Sequence, residues 1–161
     1  MYSCNVSVPN KVSRLARGLA SECLTATPRD RHGIVLKRLG DGPPTTLARR
    51  IRTELSGTGP FEVRVSEIDV FRDPPMGSGP VAYLRVDSPR LVELHRELCA
   101  AFDPVGEIEG DGYTPHLTIA RGGDADRLAG RSVDPRRWTV ESLSIWSATY
   151  GEVTERISLP I

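Results

Sequence analysis

The stretch "YTPHLTIAR", residues 113–121, carries the pattern that decides the fold. Leu117, Ile119 and Ala120 predict a strand that buries one face, and His116 and Thr118, two residues apart, share the other face. An ordinary sheet would carry Val or Ile at those two positions. The strand therefore indicates a site that uses an imidazole and a hydroxyl, whose partner groups have to come from elsewhere in the chain.

Outward from this strand, hydrophobic periodicity and turn residues predict the order β-α-β-α-β-β-α-β-loop-β-β. Asn10, Thr45 and Ser88 are the expected N-terminal caps of the helices. The predicted strands cover residues 1–9, 32–39, 61–73, 81–87, 113–121, 138–149 and 156–161, the predicted helices cover 10–24, 45–57 and 88–102, and a polar connection runs through residue 137.

Helices that alternate with strands joined by short loops indicate an α+β fold in which helices pack on curved antiparallel sheets. The length of 161 residues fits one domain, residues 1–161. The order of elements also echoes: a strand, a helix and a histidine-bearing strand occur at 1–39 and again at 81–121. This echo predicts a pseudo-symmetric cleft with His32 and His116 on facing strands.

The composition is that of an ordinary globular protein, with 39% hydrophobic and 26% charged residues. No apolar run approaches the roughly 20 residues of a membrane span, and the first residues do not resemble a signal peptide, so we expect a cytoplasmic protein that does not bind membranes.

Charge is unevenly spread along the chain. Residues 1–60 hold ten basic and four acidic side chains (+6), whereas residues 61–161 hold eleven and seventeen (−6). A zero net charge excludes a general nucleic-acid coater. An anionic ligand near the first half and mutual neutralisation of the two halves both stay open.

Cysteine and histidine spacings give no support for a metal site. Cys4, Cys23 and Cys99 form no CxxC pair, and the three histidines form neither HxxxH nor HExxH. We therefore expect buried free thiols and neither a metal nor a cofactor.

Two histidines that face each other across a cleft suit the opening of a cyclic phosphodiester. One imidazole acts as a base that activates water, and the other acts as an acid that protonates the leaving oxygen. Hydroxyls near each histidine can hydrogen-bond the phosphoryl oxygens.

The motif "PHLTIAR" resembles the second signature of the two-histidine phosphoesterases, the 2′-5′ RNA ligase-like superfamily, which reads His-x-Thr-x with Arg five residues after His. "RHGIVLKRLG" resembles the first signature, His-x-Thr-Leu-Lys-Phe-Leu-Gly. The two motifs start 84 residues apart at their histidines. The resemblance extends over length, element order and closing strands, and it implies a bilobal α+β fold with helices outside and a central cleft.

What the resemblance implies for function is hydrolysis of a 2′,3′-cyclic phosphate at an RNA or nucleotide end, with 2′-5′ RNA ligation as a related activity. His32 and His116 would be the acid and base, Thr118 a catalytic phosphate ligand, and Arg121 a contact to substrate phosphate. The expected partner is an RNA end or a cyclic nucleotide, and the expected state is a monomer.

The first motif departs from this pattern, because Ile34 stands where the family has Thr and Arg38 where it has Phe. Ile34 is thus predicted as a degenerate phosphate position, and Arg38 as a phosphate-binding or base-stacking residue. A second register stays open, in which a bulge at Gly33 places Gly33 at the His position and Val35 at the Thr position.

Alternatives remain for the site and for the function. His32 could be a surface residue, and His95, within an apolar helix face, is predicted to be structural. A non-catalytic RNA or nucleotide binder that keeps the cleft, and an unrelated α+β interaction domain, are the rival functions.

Overall fold

The computed structural model describes residues 1–161, and its regular structure consists of nine strands, three α-helices and two short 3-10 helices. The strands and α-helices follow one another as β1 (Tyr2–Ser7), α1 (Asn10–Ala20), β2 (Thr27–Pro28), β3 (Gly33–Gly40), α2 (Pro44–Glu54), β4 (Phe61–Phe71), β5 (Val81–Asp87), α3 (Pro89–Cys99), β6 (His116–Arg121), β7 (Ser132–Val140), β8 (Ser142–Ser147) and β9 (Glu152–Ser158). The 3-10 helices span Gly110–Gly112 and Ala125–Leu128.

The strands form two antiparallel sheets, which confirms the predicted α+β class. One sheet has the order β3-β1-β8-β9 and the other the order β2-β6-β5-β4-β7. The predicted echo is present in the pairing: β1 and β3 are antiparallel neighbours in the first sheet, and β5 and β6 are antiparallel neighbours in the second. The two motif strands, β3 and β6, carry the two sequence motifs. Each follows a helix and pairs with the strand before that helix.

Helices α1 and α3 each contact a motif strand of the sheet that does not contain the strand preceding the helix. Helix α1 follows β1 in sequence but contacts β6, whereas α3 follows β5 but contacts β3. Their apolar faces contribute to one core of 34 buried residues that includes Ile34 and Leu117 from the two motif strands. Each motif strand is thus backed by the helix of the other half, so burial of apolar surface couples the two halves.

Local capping explains where α3 begins. The Ser88 side chain accepts a hydrogen bond from the backbone N–H of Leu91, and Pro89 occupies the first turn, where it has no hydrogen bond to lose. The expectation that Asn10 caps α1 is wrong: Pro9 precedes the helix, Asn10 is its first residue, and no side chain caps it.

The predicted polar connection before residue 138 is also wrong, because β7 starts at Ser132. Strand β7 lies at the edge of its sheet, and its first half is exposed or partly exposed, so it shows no apolar alternation from which a strand could be predicted. The predicted strand over 138–149 is divided at Glu141 between β7 and β8.

The cysteines are all free, and only Cys4 is buried; Cys23 and Cys99 are partly exposed, so the expectation of buried thiols is wrong for these two. No group of three or more His, Cys, Asp or Glu side chains is placed to hold a metal ion. None of the helices has the length and apolar character that crossing a membrane requires.

Candidate active site

Strands β3 and β6 have the same pattern of burial along six residues. Over Gly33–Arg38 and over His116–Arg121, the order is partly buried, buried, partly buried, buried, buried, partly buried. Two consecutive buried residues break the alternation of a regular strand, which indicates that both strands change register at the same place.

The pairing shows this irregularity directly. In β3, Lys37 pairs with Cys4 and Val35 with Asn5, so Leu36 is the extra residue of a β-bulge. In β6, Ala120 pairs with Ala82 and Thr118 with Tyr83, so Ile119 is the extra residue. A bulge re-aims the side chains that follow it, and here it returns Arg38 and Arg121 to the partly exposed face of their strands.

The shared pattern sets the correspondence between the two motif strands. Gly33, Val35 and Arg38 on β3 stand where His116, Thr118 and Arg121 stand on β6, and all six line one cleft of about 880 Å³. The second half of the cleft therefore carries an imidazole, a hydroxyl and a guanidinium. The first half carries only the guanidinium at equivalent positions.

The structure corrects the prediction for Ile34. This side chain is 0% exposed and belongs to the hydrophobic core, so it does not reach a phosphate in the cleft. Val35 occupies the cleft-facing position, as in the alternative register. This position requires no bulge at Gly33, because pairing with β1 is regular from Gly33 to Val35; the bulge of β3 comes after Val35, at Leu36.

His116 is held in one orientation by a backbone hydrogen bond and two aromatic contacts. Its Nδ1 lies 2.7 Å from the carbonyl oxygen of Thr114, and its ring packs edge-on against Phe71 and Tyr83 at centroid distances of 5.4 and 5.5 Å. A proton on Nδ1 that is donated to this carbonyl leaves Nε2 as the nitrogen that accepts or delivers a proton.

The electrostatic surroundings of His116 favour its neutral form. Burial lowers the pKa of His116 below its ordinary 6.5, and Arg38, Arg121 and Arg29 lower it further, although the hydrogen bond to Thr114 opposes them. A neutral imidazole with a free Nε2 is suited to act as a general base near neutral pH.

His32 also lines the cleft, but in a different way. It lies immediately before β3 and is partly buried, and its Nε2 is covered by protein without a hydrogen-bond partner. Burial, followed by Arg17 and Arg29, lowers its pKa below 6.5. The structure thus brings His32 and His116 to one cleft, with His32 one residue away from the position that corresponds to His116.

The cleft is rich in arginine, and sequence reasoning missed several of these residues. Besides Arg38 and Arg121, it is lined by Arg29 and Arg31, and none of the four forms an ion pair with a carboxylate. Asp30 is the only acidic residue in the lining. Arg29 and Arg31 lie between predicted elements, so the only sequence signal for a role in the cleft is the clustering of basic residues next to His32 in "PRDRH".

Trp146 gives the cleft an aromatic surface that one of these guanidinium groups covers. The guanidinium carbon of Arg31 lies 3.8 Å from the centroid of the Trp146 ring, and the same guanidinium donates to the carbonyl of Gly151 at 3.1 Å. Trp146 is a rim residue, since it is partly exposed on the cleft wall.

A buried ion pair lies directly behind Arg38. Lys37 is 0% exposed, and its Nζ donates to Oε1 of Glu109 at 2.6 Å, while Oε2 of Glu109 accepts from the backbone N–H of Arg38 at 2.8 Å. Burial by itself raises the pKa of Glu109, but the hydrogen bonds from Lys37, Arg38 and Val105 outweigh it and lower the pKa below 4.5. The loop after α3, which contains Glu109, is therefore anchored to β3 next to the cleft.

His95 and Tyr113 complete this anchor. Nδ1 of His95 lies 2.7 Å from the carbonyl oxygen of Leu36, the bulge residue, and Nε2 accepts from the backbone N–H of Gly110 at 2.9 Å. Tyr113 stacks on His95 at 3.8 Å and donates its hydroxyl to the carbonyl of Val35. The prediction of a structural role for His95 is confirmed, since both of its ring nitrogens are used inside the protein.

The family described as the 2′-5′ RNA ligase superfamily has a model that matches residues 34–152, well over half of the chain. The chain belongs to this superfamily. The match includes β6 with its complete His116–Thr118–Arg121 set and starts after His32 and Gly33. A comparison with curated protein sequences gives no match.

Solved structures show how widely the superfamily fold extends over this chain. The protein TT0787 of Thermus thermophilus is 18% identical with a TM-score of 0.69, covering 98% of this chain and 97% of its own. A protein described as a phosphoesterase is 15% identical with a TM-score of 0.66, covering 98% and 97%. E. coli LigT complexed with 3′-AMP is 14% identical with a TM-score of 0.65, covering 98% and 96%. At these identities the likeness shows the fold.

Proposed function

We propose that this superfamily member hydrolyses 2′,3′-cyclic phosphates at RNA or nucleotide ends without a metal ion, with 2′-5′ RNA ligation, in which a 5′-hydroxyl attacks the cyclic phosphate in place of water, as a related activity. The observation that carries the proposal is the cleft itself. A fixed imidazole, a hydroxyl and guanidinium groups without carboxylate partners line the same space. Such a set is suited to hold a phosphate and to move a proton beside it.

In the proposed mechanism, Nε2 of neutral His116 removes a proton from water as the water oxygen attacks phosphorus. Arg38 and Arg121 approach the phosphate from the two motif strands and stabilise the charge that develops on its oxygens. Thr118, on the same face as His116, donates its hydroxyl to one of those oxygens. His32 protonates the leaving ribose oxygen, for which its ring has to turn Nε2 out of the protein and towards the cleft.

The structural relatives are in keeping with a phosphate-bearing ligand. E. coli LigT has been solved with 3′-AMP, with phosphate and with ATP. A nucleotide that carries a phosphate on its ribose is the ligand that we propose for this cleft.

Turnover of defined substrates tests this function. Nucleoside 2′,3′-cyclic phosphates and an RNA oligonucleotide that ends in a 2′,3′-cyclic phosphate are incubated with the protein, with and without EDTA. We expect hydrolysis that EDTA leaves unchanged and that His116→Ala removes. Loss of activity in EDTA that is restored by one metal ion would contradict the metal-independent mechanism.

A second candidate is a binder of phosphorylated RNA or nucleotide ends without turnover. The observations that favour it are Gly33 and Val35 at the positions of His116 and Thr118, and the covered Nε2 of His32. In that case the wild-type protein would bind a nucleoside 3′-phosphate, and no substrate of the panel would be hydrolysed.

A further inference from the structure

A smaller cavity adjoins the cleft beside β6, and we call it the annex. Its volume is about 470 Å³, and its lining includes Thr27, Arg29, Ser78, Thr118, Arg121 and the paired glycines at 122–123. Arg29, Thr118 and Arg121 also line the main cleft, so the two spaces are continuous. A ligand whose phosphate meets His116 can therefore extend past Thr118 into the annex.

The chemistry of the annex is that of an anion site. It has no hydrophobic side chain in its lining and no carboxylate, whereas it holds two guanidinium groups and three side-chain hydroxyls. Neither Arg29 nor Arg121 pairs with an acidic residue, and the side chain of Arg29 has no hydrogen-bond partner in the protein. Small-molecule sites are usually lined mostly by apolar groups, so this cavity is unsuited to a nucleobase.

Hydrogen bonds hold both walls of the annex in place. On one wall, the Asp124 carboxylate accepts from the backbone N–H groups of Leu24, Thr25 and Ala26, which lowers its pKa and joins the segment before β2 to the glycine pair. This wall presents Thr27 and Arg29.

The other wall is the loop between β4 and β5. Nη1 of Arg121 donates to the carbonyl oxygens of Met76 and Ser78 at 2.9 and 3.1 Å. A side chain on Gly77 would lie 2.6 Å from the same Nη1, so the loop backbone sits against the guanidinium. The donors of Arg121 are thereby divided: Nη1 holds the loop, and the remaining N–H groups are available to a ligand.

We propose that the annex binds a second phosphate group of the substrate, one ribose away from the phosphate that faces His116. The inference rests on the proposed function, since it takes the first phosphate as given. It specifies the substrate class as a ligand with two phosphates on the same ribose-phosphate chain. The second phosphate is either the next diester of an RNA strand or a terminal monoester of a mononucleotide.

Binding measurements with three ligands test the inference without requiring turnover. Adenosine 3′-monophosphate carries one phosphate, adenosine 3′,5′-bisphosphate carries a second as a monoester, and an adenylyl dinucleotide with a 3′-phosphate carries a second as a diester. We expect at least one of the two-phosphate ligands to bind roughly tenfold or more tightly than the monophosphate, as for an added charge-assisted hydrogen bond. The ligand that gains affinity identifies the source of the second phosphate.

Variants locate the gain in the annex. Ser78 lines the annex and not the main cleft, so Ser78→Asp should remove the advantage of the two-phosphate ligand by charge repulsion, whereas the matched Ser78→Asn should keep it. Arg29→Gln should lower the same ratio. A melting curve for each variant shows that the fold is retained.

The outcomes separate the two proposals. If the monophosphate binds and the two-phosphate ligands bind no more tightly than it does, the annex is not a phosphate subsite and the proposed function stands. The same conclusion follows if the two-phosphate ligands keep their higher affinity in Ser78→Asp. If none of the three ligands binds, the proposed function is overturned, and the inference that rests on it is overturned as well.

Discussion

Strands β3 and β6 have one backbone design and two different sets of side chains. Both contain a bulge at the fourth of the six matched residues, both bury the same positions, and both place an arginine in the cleft after the bulge. Only β6 adds the imidazole and the hydroxyl. The two strands thus share buried apolar residues at the bulge, Leu36 and Ile119, but differ in the cleft-facing side chains before it, since β3 has glycine and valine where β6 has histidine and threonine.

The two strands also differ in what supports their bulges. Behind β3 lies the buried Lys37–Glu109 pair, and the equivalent of Lys37 on β6 is Ala120, which is buried among apolar residues. The half of the cleft that lacks the imidazole and the hydroxyl at these positions is thus the one with the more elaborate polar support. We interpret this support as the means by which Arg38 and the loop after α3 are held at the cleft.

The largest effect is expected from removing the imidazole of the complete half. His116→Ala should lower kcat/KM for a 2′,3′-cyclic phosphate by about 10²- to 10⁴-fold, the usual contribution of general acid–base catalysis. The matched control is Gly33→Ala at the equivalent position of β3, where an added Cβ would meet only the Val6 carbonyl oxygen at an ordinary 3.7 Å. If both variants keep the wild-type rate, the two strands do not differ in catalysis.

The support of β3 is tested by Lys37→Met. This change leaves the buried Glu109 carboxylate without its cation, which should lower the free energy of unfolding by about 3–5 kcal/mol. The double variant Lys37→Met with Glu109→Gln should recover part of this loss, and Ala120→Ser on β6 should cost less. Urea unfolding of the purified variants measures each value, and an unchanged midpoint for Lys37→Met would contradict the assigned role.

The same pair has an expected pH dependence. The folded pKa of Glu109 is lowered below 4.5, so its contribution is fully present above that value and is lost as pH falls through the folded pKa. Stability of Glu109→Gln should therefore vary less with pH in this acidic range than stability of the wild type. Parallel curves for the two proteins would show that Glu109 does not contribute.

Restoring the missing groups on β3 should raise activity. Val35→Thr adds a hydroxyl on the cleft face, and a hydrogen bond to a charged group contributes roughly 1.5–3 kcal/mol, so a gain of about tenfold in kcat/KM or in phosphate affinity is expected. Gly33→His combined with Val35→Thr should give a larger gain, since position 33 has room for a side chain.

The matched control for this gain is Ile34→Thr. Ile34 lies in the core, so a hydroxyl there should cost about 1–3 kcal/mol of stability and give no gain in activity. A gain in phosphate affinity from Ile34→Thr, without one from Val35→Thr, would show that β3 adopts the register in which Ile34 faces the cleft.

The smallest expected effect is on the pH profile. The pKa values of His116 and His32 both lie below 6.5. With His116 neutral as base and His32 protonated as acid, kcat/KM should pass through an optimum below pH 6.5 and fall towards pH 8. A plateau from pH 6.5 upwards would show that the leaving oxygen takes its proton from a group other than His32.

Most of the fold could be predicted from the sequence because the signals are local. Alternation in residues 61–71, the Ser88–Pro89 start of α3 and the apolar face of β6 each depend on neighbours in the chain. The segment before residue 138 was predicted as a connection but forms part of the edge strand β7, whose few side-chain contacts leave no apolar pattern. The burial of each cysteine likewise depends on contacts that the local sequence does not encode.

For the site, the sequence by itself determined that His116 and Thr118 share one face of a strand whose other face is plainly apolar. Arg121, three residues after Thr118, was predicted from the family resemblance, and it reaches the same face only because of the bulge at Ile119. It left the register of β3 open, since neither Ile34 nor Val35 carries a hydroxyl that would mark the cleft face. Only the tertiary structure decided that register: regular pairing with β1 from Gly33 to Val35 places Ile34 in the core, and the bulge at Leu36, whose carbonyl contacts the ring of His95, places Arg38 at the cleft. A bulge is set by strand pairing and by what packs behind the strand, and both come from residues distant in the chain.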